Sequence, residues 1–350
     1  MKSKKEKYGL KAFGIVVMDV LLLGVSLIVF AYFHHVRPEE GGSGTEITRP
    51  TMTPAPVITP DTTQSGTEPD TTQGGTEPDT TQDNRDWGAW GRKFEDKFDW
   101  TGNVSVTDSS YKSRNLNVEL RRVAKPQEDI VYYVCDVYIR DIDYIKSKLA
   151  KDKYGRSIIE PQSNMAQGTV LAVNGDYYGS RDRGVVIRNG VIYRDKPYKD
   201  VCVLYYDGRM ETYTKDGFDS QKAVNDGAYQ AWSFGPALLD ENGRAKPDFD
   251  YSIKPNNPRS AIGYYEPGHY CIVTVAGRRT DRATGQTVGE GRGMTLAELA
   301  SLMQELGCSR AYNLDGGATS MLFFNGQRAN VPAGDGKRQC SDMIVFGEFK

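Results

Sequence analysis

The sequence predicts an α+β fold: a mixed, largely antiparallel sheet with a few packed helices, preceded by one transmembrane helix and a disordered linker. Apolar and aromatic runs interrupted by Asn189-Gly190 and Asp207-Gly208 indicate β-hairpins, because tight hairpin turns favour residues that tolerate positive φ. One strongly periodic stretch, 296–306, predicts an amphipathic helix. A lysine-rich start followed by a long apolar run predicts the membrane segment.

The first 33 residues predict a single-pass membrane anchor. Residues 1–12 form a basic tail, and the apolar run 13–33 reaches the roughly 20 residues needed to cross the hydrocarbon core. The positive-inside rule keeps the tail cytoplasmic and places the C-terminal part outside the cell, at the cell membrane. A cleavable signal peptide is the alternative, but the run is long for one and no small-x-small cleavage motif follows it.

Residues 34–86 predict a disordered linker, rich in Thr, Pro and Gly and poor in large apolar side chains. Within it PDTTQSGTE (60–68) recurs as PDTTQGGTE (69–77) and begins again at 78–82. A polar repeat this short has no apolar side chains to form a stacked core. It therefore favours an extended spacer over a solenoid.

Residues 87–350, the head, have the mixed composition and length of one globular domain. Strand signals fall at 130–140, 169–173, 185–193, 201–213, 270–275 and 310–314. Thr295 and Glu298 form a capping box before helix 296–306, and Gly307 suits its end. Strand 270–275, this helix and strand 310–314 predict a crossover unit that puts Asp315 at a strand end, where α/β sites collect.

Composition and single residue types exclude several classes of site. A formal net charge of −2 favours neither a nucleic-acid binder nor an acidic-tail protein. Five cysteines outside the cell leave at least one free or intermolecular, and a Cys308–Cys340 bridge is left open. No CxxC or HExxH spacing supports zinc, and only three histidines are present, so a histidine base is disfavoured.

Two segments end an apolar strand in the same way, with amide or carboxylate side chains beside glycine. They are Asn174-Gly175-Asp176 and Asn313-Leu314-Asp315-Gly316-Gly317. Glycine lets the backbone turn sharply and approach a ligand, while ordinary hairpin turns are the competing interpretation. Arg259, just before a strand, suits bidentate phosphate recognition, although surface ion pairs are the commoner use of such an arginine.

The order of these motifs resembles the phosphodiester glycosidase family, over about residues 168–346. The motifs are Asn174-Gly175-Asp176-Tyr177, Phe234-Gly235-Pro236, Pro258-Arg259-Ser260-Ala261-Ile262-Gly263, Gly293-Met294-Thr295-Leu296, Asn313-Leu314-Asp315-Gly316-Gly317, and Arg338 with Ser341-Asp342. A set of ordered motifs is far more specific than any one of them. Where the family usually continues with a glycine or glutamine and two serines, this chain has Ala318-Thr319-Ser320.

The resemblance implies hydrolysis of the bond between a sugar anomeric carbon and a phosphate, in a cell-surface glycan or sugar-phosphate substrate. The implied catalytic residues are Asp315, Asn174 and Asp176. Arg259 would hold the phosphate, with Arg278 or Arg338 as a second donor, and Asn174 and Asn313 would orient substrate oxygens. Gly316 and Gly317 would supply an anion-binding nest. Thr319, Ser320 and Asp342 complete the implied substrate-binding set.

The resulting hypothesis is a membrane-anchored extracellular hydrolase acting on a sugar-1-phosphodiester, with no nucleic-acid partner. A stalked carbohydrate-binding module without activity and a phosphodiesterase that breaks the P–O bond are the alternatives. No residue is assigned to a metal, and a divalent cation near Asp315 is left open as a cofactor.

Overall fold

The computed structural model describes residues 18, 21–26, 42–50, 85–280 and 284–349. Most of the predicted membrane helix 13–33 and most of the predicted linker 34–86 lie outside these residues. Within the described ranges, no helix combines the length and apolar character that a membrane crossing requires.

The described part of the chain forms 22 strands, numbered β1–β22 in order: Thr45–Glu46, Ser105–Val106, Ser110–Lys112, Leu116–Lys125, Ile130–Ile139, Ile145–Leu149, Glu160–Pro161, Leu171–Asn174, Gly184–Arg188, Val191–Lys196, Val201–Tyr205, Met210–Tyr213, Ala228–Trp232, Arg259–Glu266, His269–Val275, Arg279–Thr280, Thr287–Val288, Arg310–Asn313, Leu322–Phe324, Gln327–Arg328, Gln339–Cys340 and Asp342–Phe346. The helices of the head are α1 (Gln162–Met165), α2 (Ser220–Asn225) and α3 (Leu296–Glu305).

Three antiparallel sheets of five to seven strands make up most of the head, as the hairpin signals predict. Two further sheets have two strands each and pair β16 with β17 and β21 with β7. Sheet A has the order β1-β10-β9-β13-β11-β12, sheet B has β18-β14-β15-β5-β4-β3-β2, and sheet C has β20-β19-β8-β22-β6. One core cluster draws side chains from all three sheets, among them Val137, Val173 and Trp232. The sheets therefore share a hydrophobic interior.

The predicted crossover is confirmed, with one strand inserted in its middle. Strand β14 pairs antiparallel with both β15 and β18, so β15 and β18 run parallel to each other on either side of it. Helix α3 connects them; it begins with the predicted capping box between Thr295 and Glu298. Its apolar face packs Leu299 and Met303 with Val273 of sheet B.

This topology brings distant residues to one edge of sheet B. Arg259 begins β14 opposite Val275, the last residue of β15, and Ala261 lies opposite Asn313, the last residue of β18. The first residues of β14 and the last residues of β15 and β18 therefore lie at the same edge of sheet B.

In sheet C, a corresponding edge forms where β8 ends. Asn174 lies opposite Met343 of β22, and Val173 lies opposite Leu322 of β19. The residues just before β22 and β19, and those just after β8, are thus neighbours.

Both predicted hairpins form, with different turns. Asn189 and Gly190 have φ of 52° and 77°, as a two-residue turn with positive φ at both positions requires. In the second hairpin Gly208 has φ of 80° but Asp207 is not in the left-handed region, so that turn is longer.

The disordered-linker prediction is wrong for residues 42–50. β1 pairs with β10, the Ile47 side chain is buried in the sheet A core, and Arg49 pairs with Asp141 and Asp143 at 3.1 Å. The burial of one apolar side chain and a short stretch of β-pairing fix this segment to the head, although its polar composition suggested disorder.

The Cys308–Cys340 bridge that the sequence left open is not formed. All five cysteines are free and buried, and Cys308 and Cys340 belong to different core clusters.

Candidate active site at the junction of two sheets

The edges of sheets B and C meet through Asn174 and the backbone of Asp315. The Asn174 amide nitrogen donates to the Asp315 carbonyl at 2.8 Å, and its oxygen accepts from the Ser260 hydroxyl at 2.7 Å. The Asp315 backbone N–H donates to the carbonyl of Gly175 at 3.2 Å. Asn174 is fully buried, so it joins the two predicted strand-end motifs.

Asp315 carries the perturbed carboxyl of this junction. Its Oδ2 atom is buried and has no hydrogen-bond partner among the described residues. Burial raises the pKa of Asp315 to about 6, against the Thr319 hydroxyl, the Gly316 amide and the charges of Arg338 and Arg181, which lower it. A carboxyl that titrates near neutral pH, with one oxygen free, suits proton transfer or nucleophilic attack.

The two glycines after Asp315 hold the turn against the neighbouring strand. A Cβ on Gly316 would lie 2.8 Å from the carbonyl oxygen of Pro258, and Gly317 has φ of 67°. The Gly317 amide donates to that same carbonyl at 2.9 Å. The Gly316 amide donates to the Asp315 carboxyl, so both amides of the predicted anion nest form hydrogen bonds within the protein.

A small pocket of about 180 Å³ opens beside Asp315. Its walls are Phe234, Ile253, Asn257, Arg259, Asp315, Gly316 and Gly317. The sequence motifs around positions 234, 259 and 315 therefore converge on one concave site, although they lie far apart in the chain.

Arg259 contributes a buried positive charge to this pocket. Its Nε donates to the carbonyl of Met294 at 3.0 Å, and Nη2 donates to the carbonyls of Ile253 and Pro255. Burial lowers its pKa to about 10, so it stays charged at neutral pH. Among the described residues no carboxylate pairs with it. The guanidinium is fixed by backbone carbonyls, and its charge remains to be balanced by an anion.

A larger cleft of about 550 Å³ begins on the other side of the same turn. It is lined by Ile159, Tyr177, Arg279, Thr280, Ala318, Ala333, Gly334, Asp335, Lys337, Arg338 and Gln339. The Arg338 guanidinium lies 5.7 Å from the centre of the Tyr177 ring. Three cations thus face a single lining carboxylate.

Of two adjacent arginines, the structure brings Arg279 and not Arg278 to the cleft. Arg278 instead forms a bidentate ion pair with Asp129, with its Nη2 at 2.7 Å from a carboxylate oxygen. The sequence analysis missed Arg279. Strand β16 begins at Arg279, directly after Arg278, and nothing in the sequence marks that strand.

Asp176 and Asp342, both predicted to act at the site, are fully buried against Arg188. Arg188 Nη2 lies 2.7 Å from Asp176 Oδ1 and 2.9 Å from Asp342 Oδ2. The second oxygen of Asp176 accepts from the Ser233 amide at 2.8 Å. Both carboxylates are inaccessible to solvent. The cluster therefore supports the backbone of the site and does not line its pockets.

The same cluster explains Gly175 and places two buried carboxyls beside Arg188, with Arg181 3.7 Å from Asp176. A Cβ on Gly175 would lie 2.4 Å from Asp342 Oδ2, so only glycine fits above that carboxylate. Burial raises the pKa of Asp342, with the Asp176 charge acting in the same direction and Arg188 opposing it. Sequence reasoning missed Arg188, because an arginine before an Asn-Gly turn suggests an exposed strand end.

The remaining predicted residues lie inside the junction. Asn313 donates from Nδ2 to the carbonyl of Gly235 at 2.8 Å, and its Oδ1 is buried without a partner among the described residues. Thr319 and Ser320 are buried, and the Ser320 carbonyl accepts from Asn330 at 3.0 Å. None of these three lines either pocket.

Across the described ranges, no cluster of three or more His, Cys, Asp or Glu side chains is arranged to hold a metal ion.

Comparison with known proteins gives a match to one family model and to one curated protein. The model, described as Phosphodiester glycosidase, matches residues 167–347, just over half of the chain. The SPbeta prophage-derived uncharacterized protein YomE of Bacillus subtilis (strain 168) is 28% identical over 189 residues. That alignment covers 51% of this chain but 28% of YomE, so the chain spans less than a third of its relative's length.

Solved structures add two similar chains at low identity. The catalytic domain of zebrafish N-acetylglucosamine-1-phosphodiester alpha-N-acetylglucosaminidase, auto-inhibited by its pro-peptide, has a TM-score of 0.48 and 16% identity, covering 67% of this chain and 83% of that one. A hypothetical protein from Synechocystis has a TM-score of 0.42 and 15% identity, covering 67% and 62%. The family model, matched over more than half of the chain, shows that this protein belongs to the phosphodiester glycosidase family.

Proposed function

We propose that the head hydrolyses a sugar-1-phosphodiester by breaking the bond between the anomeric carbon and the phosphate oxygen. Water adds its oxygen to the sugar, and the phosphate leaves as a monoester that keeps its bridging oxygen. The observation that carries the proposal is Asp315, whose carboxyl has a raised pKa and a buried oxygen without a partner among the described residues. It lines the small pocket together with Arg259, and the cleft that contains Arg279 and Arg338 is lined by Ala318 of the same turn.

In this reaction Asp315 acts in its ionised form, as base toward water or as nucleophile. A phosphate monoester is already a fair leaving group, so neutralisation by arginine replaces part of the protonation that other glycosides need. The small pocket suits one sugar ring, because it is well below the 300 Å³ or more of pockets for drug-sized ligands. Phe234 offers that ring an apolar wall, Arg259 binds its polar substituents or the phosphate, and Arg338 faces the leaving phosphate.

The buried polar residues around the site hold its backbone in place and do not contact the substrate. Asn174 ties the Asp315 turn to sheet C, while Asp176 and Asp342 fix the backbone beneath Gly175 through Arg188. Asn313 holds the Gly235 backbone at the rim beside Phe234.

Isotope labelling tests which bond breaks. Sugar-1-phosphate alkyl diesters of glucose and N-acetylglucosamine are incubated with the full chain in water enriched in oxygen-18. The proposal expects the label in the released sugar. Label found in phosphate and never in sugar would overturn it in favour of a phosphodiesterase.

Asp315→Asn tests the catalytic role and is expected to lower kcat by about 10³-fold or more while the protein stays folded. Because its pKa is raised from 3.8 to about 6 on folding, stability falls as the pH rises through this interval, and the full penalty of the ionised carboxylate is present at pH 7. The amide variant should therefore be at least as stable at pH 7. The matched control is Asp216→Asn, since Asp216 is an exposed carboxylate with 86% of its side chain accessible. Glycan binding without turnover in the parent chain would instead indicate a binding module.

We also propose that the N-terminal segment anchors the head to the outer face of a cell membrane. The lysine-rich residues 1–12 and the apolar run 13–33 support this, as do the exposed side chains of Leu21, Leu22 and Leu23. Protease treatment of intact cells should remove the head and leave the tail protected. A head that is resistant until the cells are lysed contradicts the proposed orientation.

A further inference from the structure

We propose that the larger cleft binds a second phosphate of the same substrate, so that the natural substrate is a phosphate-repeating polymer rather than an isolated sugar phosphodiester. This inference rests on the proposed function, because it extends that site along the leaving-group side.

The cleft and the small pocket are lined by neighbouring residues of one turn. Ala318 lines the cleft, while Asp315, Gly316 and Gly317 line the small pocket, so one turn separates the two spaces. Its volume is about 550 Å³, against about 180 Å³ for the small pocket. A substrate with its sugar in the small pocket would direct its leaving group over this turn into the cleft, which has room for several groups beyond one phosphate.

The cations of the cleft have no ion-pair partner in the part of the chain that the structure describes. Among the described residues, none of Arg279, Lys337 and Arg338 forms an ion pair with a carboxylate, whereas the neighbouring Arg278 is paired with Asp129. Three exposed cations against Asp335 leave a net positive cleft on a chain whose formal net charge is −2. Like charges repel unless an anion lies between them, so this arrangement fits an anionic ligand with more than one charged group.

The buried cluster also fixes the part of the cleft wall that Tyr177 forms. Tyr177 has φ of 52°, which is uncommon for a bulky residue and is maintained only where the surroundings fix it. The preceding residue, Asp176, is held by Arg188 and the Ser233 amide. The buried cluster therefore keeps the Tyr177 ring beside Arg338, where it restricts the guanidinium.

A pair of substrates that differ by one phosphate tests the proposal. Each carries a sugar 1-phosphate esterified to glycerol, and one of them bears a second phosphate at the far glycerol carbon. The expected result is a kcat/KM about tenfold higher for the bisphosphate substrate, with the advantage shrinking as ionic strength rises. Equal values for the two substrates at low salt would overturn the cleft proposal while leaving the proposed function intact.

Two variants attribute the preference to the cleft. Arg279→Gln with Lys337→Gln should reduce the ratio of the two kcat/KM values to about one. Arg278→Gln removes the same charge from the adjacent position and should keep the ratio. Because the readout is a ratio within one protein, a general loss of folding cannot imitate it, and thermal unfolding checks each variant. A ratio that survives the double change, or is lost equally in Arg278→Gln, counts against the proposal.

A binding measurement separates this inference from the proposed function. Glycerol 1,3-bisphosphate has no sugar to release, and calorimetry should show that it binds the full chain and loses at least fivefold in affinity in the Arg279→Gln, Lys337→Gln variant. If neither sugar substrate is turned over but this binding difference holds, the proposed function fails and the cleft assignment stands. If turnover occurs without the binding difference, the cleft assignment fails alone.

Discussion

Asp315 presents one carboxyl oxygen to the protein and leaves the other without a partner among the described residues, and this asymmetry determines how the site should respond to pH. With a pKa of about 6, it is mainly ionised at pH 7 and mainly protonated at pH 5. A residue that acts in its ionised form loses activity as it gains a proton.

We therefore expect kcat/KM for a sugar-1-phosphodiester to fall about tenfold per pH unit below about pH 6. Initial rates between pH 4.5 and 8, with fluorescence to confirm folding at each pH, measure the profile. A rate that rises on acidification through pH 6 would show that Asp315 works as an acid, contrary to the role proposed for it.

At this scale the sequence identified the site in part. Asp315, Arg259 and Arg338 were predicted, and the structure places each on a pocket wall. Arg188 and Arg279 were not, for a physical reason. Whether an arginine is buried, paired or free depends on which carboxylates the fold brings within reach, and local sequence does not contain that information.

At the scale of elements, the sequence signals located several long strands and the main helix but missed β4 and β13, and they did not reveal how the sheets assemble. The Asn-Gly and Asp-Gly pairs mark real hairpins, and the capping box marks the start of α3. The pairing of β6 with β22, or of β5 with β15, joins segments more than a hundred residues apart. Such pairings depend on packing of whole faces, which periodicity does not reveal.

The buried cluster couples three elements: β9 through Arg188, β22 through Asp342 and the turn after β8 through Asp176. Replacing Arg188 removes the ion-pair partner of Asp342 and leaves Asp176 only the longer contact with Arg181 at 3.7 Å. We expect Arg188→Met to reduce the free energy of unfolding by about 3–5 kcal/mol at pH 7, measured by urea unfolding.

The loss should shrink at pH 5, since the pKa of Asp342 is raised and protonation of its carboxyl removes one of the buried charges. Arg183→Met is the matched control, because Arg183 is exposed and its closest carboxylate contact is 3.9 Å. It should change stability by less than about 0.5 kcal/mol. An equal effect of the two changes would show that the cluster does not stabilise the fold.

At the scale of the whole molecule, the head is larger than the family match. Strands β4 and β5, which precede residue 167, lie in sheet B, and β6 forms an edge of sheet C. The N-terminal segment 42–50 adds an edge strand to sheet A. A chain shortened to the matched residues would therefore leave β15 without the partner strand β5 along one edge.

We predict that Ile47→Asp releases segment 42–50 from the head, because it puts a charge into the sheet A core. Amide hydrogen exchange at Ile47, whose N–H donates to the Gly190 carbonyl, should accelerate by at least tenfold. Thr45→Asp introduces the same charge at an exposed position of the same segment and should have little effect. Unchanged protection in Ile47→Asp would contradict the docking of this segment.

The docked segment changes what the repeats can do. Residues 51–84 join two stretches that both contact the head: Arg49 pairs with Asp141 and Asp143, and Arg85 pairs with Glu95. Both ends of the segment that carries the PDTTQ repeats are therefore fixed to the head, and as a loop between two fixed ends it does not set the distance between the head and the proposed membrane anchor. Gaining or losing a repeat would alter the length of that loop, at a cost of only about 0.2 kcal/mol, while the distance to an anchor would depend on residues 34–41. The number of repeats could then vary without changing the distance between the active site and the membrane.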